Sequence, residues 1–541
     1  MSVNNNHYDL IIIGTGAGGG TLARQLAPTG KQILILERGD FLPPEKDNWN
    51  AKEVYQNQRY FTDEQWYDKT GKTFSPQTCY WVGGNTKVYG AALLRLRERD
   101  FERVEHLDGI SPEWPLKYVD FEPYYTQAEK LYNVHGQRGE DPIEPLATGD
   151  YPHPAVSHEP RMQEICDRLK NIGRNPFHLP LGIKLNESDR FLSKCIRCDT
   201  CDGYPCLVHA KADGEVNGIR HALHYPNVTL LTGAKVERLY TSESGREITE
   251  VKAEVNGQER RFRGDIVVIS CGTINSAALL LQSANDRHPN GLANSSDQVG
   301  RNFMKHLATA LVAFSEEPNP AMYQKTIAVN DFYWGEPGFP YPMGMVQNTG
   351  NVKAGMMPAE APPFLAPLVK LVPGAGLEVL ANYSTGWWLQ TEDLPDPNNR
   401  VKAHADTLEL HYTPNNIEAR DRLINRWSEV LKQINHHAHH IIPFGIYPRN
   451  ELPLPAVAHQ CGTCRFGVDP KTSVLDLNCR THDVDNLYVV DGSFFPSNSG
   501  VNPTLTIIAN AIRVSEHLKE RMGVPTGNLE TFHQISNSRL N

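Results

Sequence analysis

Short apolar runs recur along this chain at intervals that predict the strands of a parallel sheet. Residues 8–13 (YDLIII) are apolar, β-branched and followed by Gly14, the pattern of a strand buried on both faces. Helical spacing follows over 17–27, and a second run, QILILE, ends on Glu37. Strand, helix and strand make a βαβ unit. The pattern returns at DIVVIS (265–270), with a helical INSAALLLQS behind it, and at NLYVVD (486–491), with a loop and a helix from about Pro503. Residues 226–240 alternate around VTLLTGAKVERL and predict strand, whereas YVDFEPYYTQAEKLYNV (118–134) has the amphipathic period of a helix. The α/β signals therefore sit at the start, middle and end of the chain. They predict one discontinuous α/β domain over 1–110, 225–310 and 455–541, a connecting region at 111–224 and a second lobe inserted at 311–454. One apolar stretch fits no period: PAEAPPFLAPLVKLVPGAG (358–376) carries five prolines. It reads as an irregular loop, buried or covered by a partner, with a membrane-facing or gating loop as the alternative.

Composition narrows the function classes. A chain of 541 residues exceeds one small core and agrees with two large lobes. Its net charge of −10 lacks the basic footprint of a nucleic-acid binder. The N-terminal MSVNNNHYDLIIIG has no basic region ahead of a long apolar stretch, and no run reaches the roughly 18 apolar residues of a membrane span. These readings lead to the expectation of a cytoplasmic protein without a membrane span. Ten cysteines are too few for a secreted disulfide scaffold of this length.

Chemistry enters first at GTGAGG, which sets Gly14, Gly16 and Gly19 as G-x-G-x-x-G between the first strand and the first helix. Such glycines allow a tight turn and let a pyrophosphate approach the helix N-terminus. Glu37 ends the next strand, 21 residues after Gly16, where a carboxylate accepts hydrogen bonds from ribose hydroxyls and repels a 2′-phosphate. This is a Rossmann-like dinucleotide site, and the motif alone does not separate NAD from FAD.

Six further segments carry more. They are WVGGNTKVYGAALLRLRERDF (81–101), WPLKYVDFEPYYTQAEKLYNVHG (114–136), VGRNFMKH (299–306), EDLPDPNNRV (392–401), HQCGTCRFG (459–467) and VDGSFFPSNSGVNPTLTIIANAIR (490–513). In that order, and over the whole chain, they resemble the glucose–methanol–choline (GMC) oxidoreductases. The resemblance implies a Rossmann-like FAD-binding domain with an inserted substrate domain built on an antiparallel sheet. It also implies oxidation of the CH–OH group of an alcohol or sugar-like donor. By the same resemblance Gly14, Gly16, Gly19 and Glu37 match the ADP-binding end. Gly83, Gly84, Asn85 and Thr86 match the loop beside the flavin, and Val236 the backbone that meets the adenine. Asp491, Gly492, Asn502, Pro503 and Thr504 match the C-terminal flavin contacts. His459 matches the catalytic histidine and Asn502 its partner. Members with covalently bound FAD resemble one another in a histidine four positions after the Gly-Gly pair. Val88 stands there in this chain, so the expectation is non-covalent FAD. Tyr89 replaces a frequent asparagine at the next position.

The residues give the chemistry directly. Alcohol oxidation removes a hydroxyl proton and a hydride from one carbon, and a flavin N5 accepts the hydride. An imidazole suits the proton, which makes His459 the candidate base; an amide cannot take it, which leaves Asn502 to orient the hydroxyl. Proline suits the first turn of the helix at Pro503, whose N-terminus favours negative charge. If it faces the flavin N1–C2=O edge, it stabilises the reduced anion.

Cys464 reads as structural, and a redox pair with Cys461 is the minor alternative. The run Cys195, Cys198, Cys201 and Cys206 has the spacing C-x2-C-x2-C-x4-C. Structural thiols or disulfides come first for it, an iron–sulfur cluster second, zinc third. His436, His437, His439 and His440 read as a solvated helix end. No metal site is expected. Phe332, Tyr333, Trp334, Trp387 and Trp388 fit either a sugar-stacking surface or aromatic core. Two other functions compete: a lyase retaining FAD as a relic, and a flavin electron-transfer subunit whose cysteines dock a partner.

Overall fold

The computed structural model describes residues 7–361, 366–404, 407–435, 449–456 and 459–524. The apolar runs pair as their pattern predicts. His7–Ile13 lies between Ile33–Leu36 and the inner half of Gln258–Ile269, all parallel, and Val228–Leu231 closes one edge. Leu487–Val489 adds on the far side of Gln258–Ile269. Leu10 to Ile13 are at most 3% exposed, so a strand with no polar face can only sit here, covered on both sides. Helices Ala17–Leu26 and Thr504–Arg521 cover one face together, with Tyr118–Leu131 behind them.

Two features of this sheet depart from the sequence pattern. The alternating stretch 226–240 is two strands, because Gly233 (φ +60) turns the chain between them. Val228–Leu231 stays in the parallel sheet, while Ala234–Thr241 joins Ile248–Val255 and the outer half of Gln258–Ile269 in an antiparallel meander. The helix expected over 118–134 ends at Leu131 and yields to the strand Val134–Gly136.

The second sheet is antiparallel, in the order Arg449–Glu451, Leu307–Phe314, Ser384–Thr391, Met345–Asn348, Ile327–Val329, Pro176–His178. Its last strand comes from the connecting stretch rather than from the inserted lobe. On the outer face Leu311, Ala313, Trp387 and Leu389 bury against the amphipathic helix Ile417–Gln433 through Leu423 and Trp427. The other face looks inward to the nucleotide-binding domain.

The proline-bearing stretch 358–376 is not the irregular loop its composition suggests. It contributes to three short helices, Met357–Glu360, Ala366–Val369 and Gly374–Asn382, each beginning at or just after a proline or holding one in its first turn, where a missing N–H costs nothing. Residues 362–365 between them lie outside the described residues. So do His436, His437, His439 and His440. Among the described residues, no helix is long and apolar enough to cross a membrane.

Candidate active site

A cavity of about 1420 Å³ runs from the ends of the parallel strands to the inward face of the antiparallel sheet. Its first part is the cradle predicted from the glycines. Gly14 has φ +98, and a Cβ there would stand 2.3 Å from the Ser270 carbonyl oxygen; only glycine fits this turn. A Cβ on Gly16 would meet nothing within 4 Å, since that residue faces the cavity. Gly19 does not line it. A Cβ there would be 2.1 Å from the Gly14 carbonyl oxygen, so its part is to let the helix close on the strand.

Glu37 is buried in the wall and accepts from the Thr15 amide (3.1 Å), the Thr15 hydroxyl and the Gly39 amide (3.0 Å). Burial pushes its carboxyl above the usual range, against the pull of those donors. Val236 lines the same end.

The loop at 83–86 is held from behind. Gly83 lies outside the cavity wall and donates to the Thr15 hydroxyl (3.0 Å). Gly84, Asn85 and Thr86 line the cavity. The Asn85 amide oxygen accepts from the Cys79 amide (2.8 Å), and the Thr86 hydroxyl bonds Gly83 and Gly214. Lys87 next to them is buried and bonds both Asp213 (2.9 Å) and Glu215 (2.5 Å). Burial alone would lower its ammonium, but the two carboxylates outweigh it and hold it above the ordinary value.

Asp491 also faces the cavity, yet its carboxylate accepts from the Gly272 amide (3.0 Å), the Ser276 hydroxyl (2.5 Å) and the Ser493 amide (2.9 Å). It ties the end of one strand to the start of helix Thr273–Gln282. Gly492, Pro503 and Thr504 line the cavity beside it, at the N-terminus of helix Thr504–Arg521.

The segment HQCGTCRFG is stitched on both sides. Met304 and Cys461 exchange two backbone hydrogen bonds (3.0 and 2.9 Å). On the other side Gly462, Cys464 and Phe466 donate to Gly492, Ser493 and Phe494. Two residues beyond the Met304–Cys461 bridge, on each strand, stand His306 and His459. Antiparallel register makes them a facing pair, and their Nδ1 atoms are 3.0 Å apart. His459 has φ +55, which is unusual for a residue with a Cβ.

The protons of this pair follow from its partners. His306 Nε2 lies 2.9 Å from the Ser499 carbonyl and 3.2 Å from that of Asn498. Carbonyls only accept, so His306 Nε2 carries the hydrogen and its Nδ1, in the neutral ring, is an acceptor. His459 Nδ1 is then the donor and its Nε2 bears the lone pair. The Asn502 amide nitrogen stands 3.4 Å from that Nε2, and the Asn502 oxygen accepts from Gln347 (3.3 Å). Burial first, then His306 and Lys325, push His459 well below an ordinary imidazole, and burial brings His306 down to about 4. Both shifts favour the neutral imidazoles. The sequence reading assigned no role to His306 or Gln347. His306 closes the segment VGRNFMKH, but its partner is 153 residues away.

Other expectations sort out plainly. All ten cysteines are free thiols. Cys461 and Cys464 are fully buried, and burial pushes both above the usual thiol range; neither is poised as a thiolate. In the cysteine run, Tyr323 donates to Cys201 (3.7 Å) and Ala210 to Cys206 (3.3 Å). Among the described residues no three His, Cys, Asp or Glu side chains converge in a cation-binding group. Of the aromatic candidates, Phe332 and Trp387 are core. Trp387 meets Trp427 edge-on at 4.7 Å. Tyr333 is buried against Asp100, and Trp334 lies under Arg99. Trp388 alone turns to the histidine, with its ring 6.5 Å from His459.

A dinucleotide cradle that continues without a break into a pocket walled by an antiparallel sheet is the layout of a two-domain flavoenzyme. The residues fit such a cofactor. The cradle glycine at 16 leaves open space, and the Thr78 hydroxyl in the wall is buried without a partner. The GMC oxidoreductase family models match residues 8–308 and 395–511, and the chain belongs to that family. It is 29% identical to 6'''-hydroxyparomomycin C oxidase of Streptomyces lividus, over 95% of this chain and 92% of the other. With paromamine 6'-oxidase of Streptomyces fradiae it shares 30%, over 94% and 90%. Among solved structures it is similar to a formate oxidase variant of Aspergillus oryzae RIB40 described for FAD modification. The TM-score is 0.68 at 15% identity, over 96% and 99% of the two chains. The protein is thus an FAD-dependent oxidoreductase acting on the CH–OH group of an alcohol or sugar donor.

Proposed function

We propose that His459 is the base of this reaction, taking the hydroxyl proton at Nε2, and that Asn502 orients the hydroxyl. The observation that carries this reading is the hydrogen-bond chain from the Ser499 carbonyl through His306 to His459. It leaves Nε2 of His459 unprotonated beside the Asn502 amide. FAD, when bound, supplies the acceptor for the hydride of the same carbon. The Asn502 amide nitrogen donates to the substrate oxygen, which lowers the cost of the charge that grows there as the proton leaves. After transfer, His459 keeps its Nδ1–H bond to His306, so the imidazolium forms without a change of position.

FAD is held without a covalent bond at Val88, whose side chain lines the cavity and has no nucleophilic atom. Acid precipitation should release all the flavin, and flavin retained on the polypeptide would overturn that point. Ten free thiols suit the reducing cytoplasm, where we place the enzyme.

The test is anaerobic stopped-flow reduction by a donor alcohol, with FAD content measured in parallel. His459→Ala should keep FAD and slow reduction by at least ~100-fold, the range for a lost general base. Asn502→Ala should also slow it, and Cys461→Ser should change little. A His459→Ala enzyme that reduces at the wild-type rate with full FAD removes the histidine from the mechanism.

A further inference from the structure

The inward face of the antiparallel sheet changes character along its length. Nearest His459, one cross-strand row holds Gln347, Trp388 and Ala310. The Gln347 amide oxygen and the Trp388 indole N–H in this row are buried with no partner, and both residues line the cavity. Two residues along, the row is Gly386 with Val312. Two further, it is Ser384 with Phe314, and the Ser384 hydroxyl is spent on the Ala381 carbonyl (2.8 Å). From Trp388 outward, over about 13 Å of strand rise, Ala310, Val312 and Phe314 line the cavity from one strand, while the Thr349 hydroxyl, spent on the Gly350 carbonyl (3.0 Å), covers Gly386.

The opposite wall matches. The short helices Met357–Glu360, Ala366–Val369 and Gly374–Asn382 turn Met357, Val369, Leu377 and Leu380 into the same cavity. Leu368 belongs to both the cavity wall and the surface, at 61% exposed, so the mouth opens among apolar side chains. Between Val312, Phe314, Leu377 and Leu380 a sugar or amino sugar would lose water from its hydroxyls and ammonium groups with few groups to replace it. Of the carboxylates in this part of the wall, Asp202 is already paired with Lys325 (2.6 Å) and the Gly350 amide (3.3 Å), and burial pushes Glu360 above the usual carboxylate range.

We propose that the donor is an amphiphilic alcohol. Its hydroxyl sits at His459 and Asn502, with Gln347 and Trp388 meeting the polar end, and its hydrocarbon chain lies between the Val312–Phe314 row and the three short helices. This rests on the reading of His459 as the base. The reaction converts the CH–OH group to a carbonyl, the proton passing to His459 Nε2 and the hydride to the bound flavin. The chain takes no part in the chemistry and binds by leaving water.

The experiment uses the FAD-loaded enzyme and anaerobic flavin reduction by ethanol, butanol, hexanol, octanol and decanol, beside glucose and glucosamine. The apparent dissociation constant should fall about fourfold per added methylene while the chain stays within the channel. Val312→Phe, which narrows the channel halfway, should weaken decanol at least ~10-fold more than it weakens butanol. Leu377→Asn, on the opposite wall, should weaken decanol likewise, with FAD content showing that both variants are folded. If glucose or glucosamine reduces the flavin and the alkanols do not, the apolar-chain reading is overturned while the base reading stands. If the alkanols all bind alike whatever their length, the channel does not hold the chain, and the proposal also falls. If no donor of either kind reduces the flavin, the apolar-chain proposal falls, and the base reading is left to His459→Ala.

Discussion

Replacing His306 tests the proton assignment without touching the group that meets the substrate. In His306→Leu the His459 Nδ1–H loses its acceptor in a buried site. A buried donor left without a partner costs about 1–3 kcal/mol. That cost weighs only on the Nδ1–H tautomer, because the other tautomer turns its proton toward the cavity. The base-competent form therefore loses between about fivefold and 150-fold against its rival. His306→Gln makes the contrast, since its amide oxygen can accept from His459 while its NH2 group donates to Asn498 and Ser499. The assay is the anaerobic rate of flavin reduction at saturating substrate across pH, with FAD content as the control for folding. The leucine variant should lose at least ~5-fold in rate at full FAD, and glutamine should recover most of it. Two results would refute the reasoning: a leucine variant as fast as wild type, or glutamine and leucine variants equally slow. The second would mean that His306 matters for shape alone.

Two further outcomes follow from the same geometry. Glu37→Ala removes the acceptor for Thr15 and Gly39 as well as the one offered to the ribose; it should weaken FAD binding by at least ~10-fold, on the scale of a charge-assisted hydrogen bond, in a titration of apo-protein with FAD. The reduction rate should be flat from about pH 6 upward, because a base held well below its ordinary value is already unprotonated there; a rate that climbs about threefold between pH 6 and 7 would mean an imidazole of ordinary basicity.

The parts of this molecule legible in the sequence are those where the cause is local. A run such as Leu10–Ile13 has no polar face and must be an inner strand, and three spaced glycines before a helix have few other uses. His459 and Asn502 were legible only through the segments around them. The facing of His306 and His459 was not, because a register between segments 153 residues apart is a tertiary fact. The division of labour between Trp387 and Trp388 follows from the strand period of two, but only once Ser384–Thr391 is known to be a strand with a helix on one side. The 358–376 stretch misled for a different reason. Proline opposes helix interiors, yet it suits first turns, and here the prolines start short helices rather than prevent them.

The backbone at His459 explains why so many separate segments are needed for one imidazole. A residue with a Cβ at φ +55 is strained by about 1–3 kcal/mol. Left alone, the chain would relax and carry the ring out of line with Asn502. The ladders on either side prevent this, one to Met304 and the other to Gly492, Ser493 and Phe494. Each hydrogen bond is worth about 0.5–1.5 kcal/mol net, so the five of them together are enough to offset a strain of this size. The anchors come from both domains: Met304 leads directly into the antiparallel sheet, while Gly492 follows a strand of the parallel one. The candidate base therefore sits where the two domains are sewn together, and its direction is set by their junction rather than by either alone.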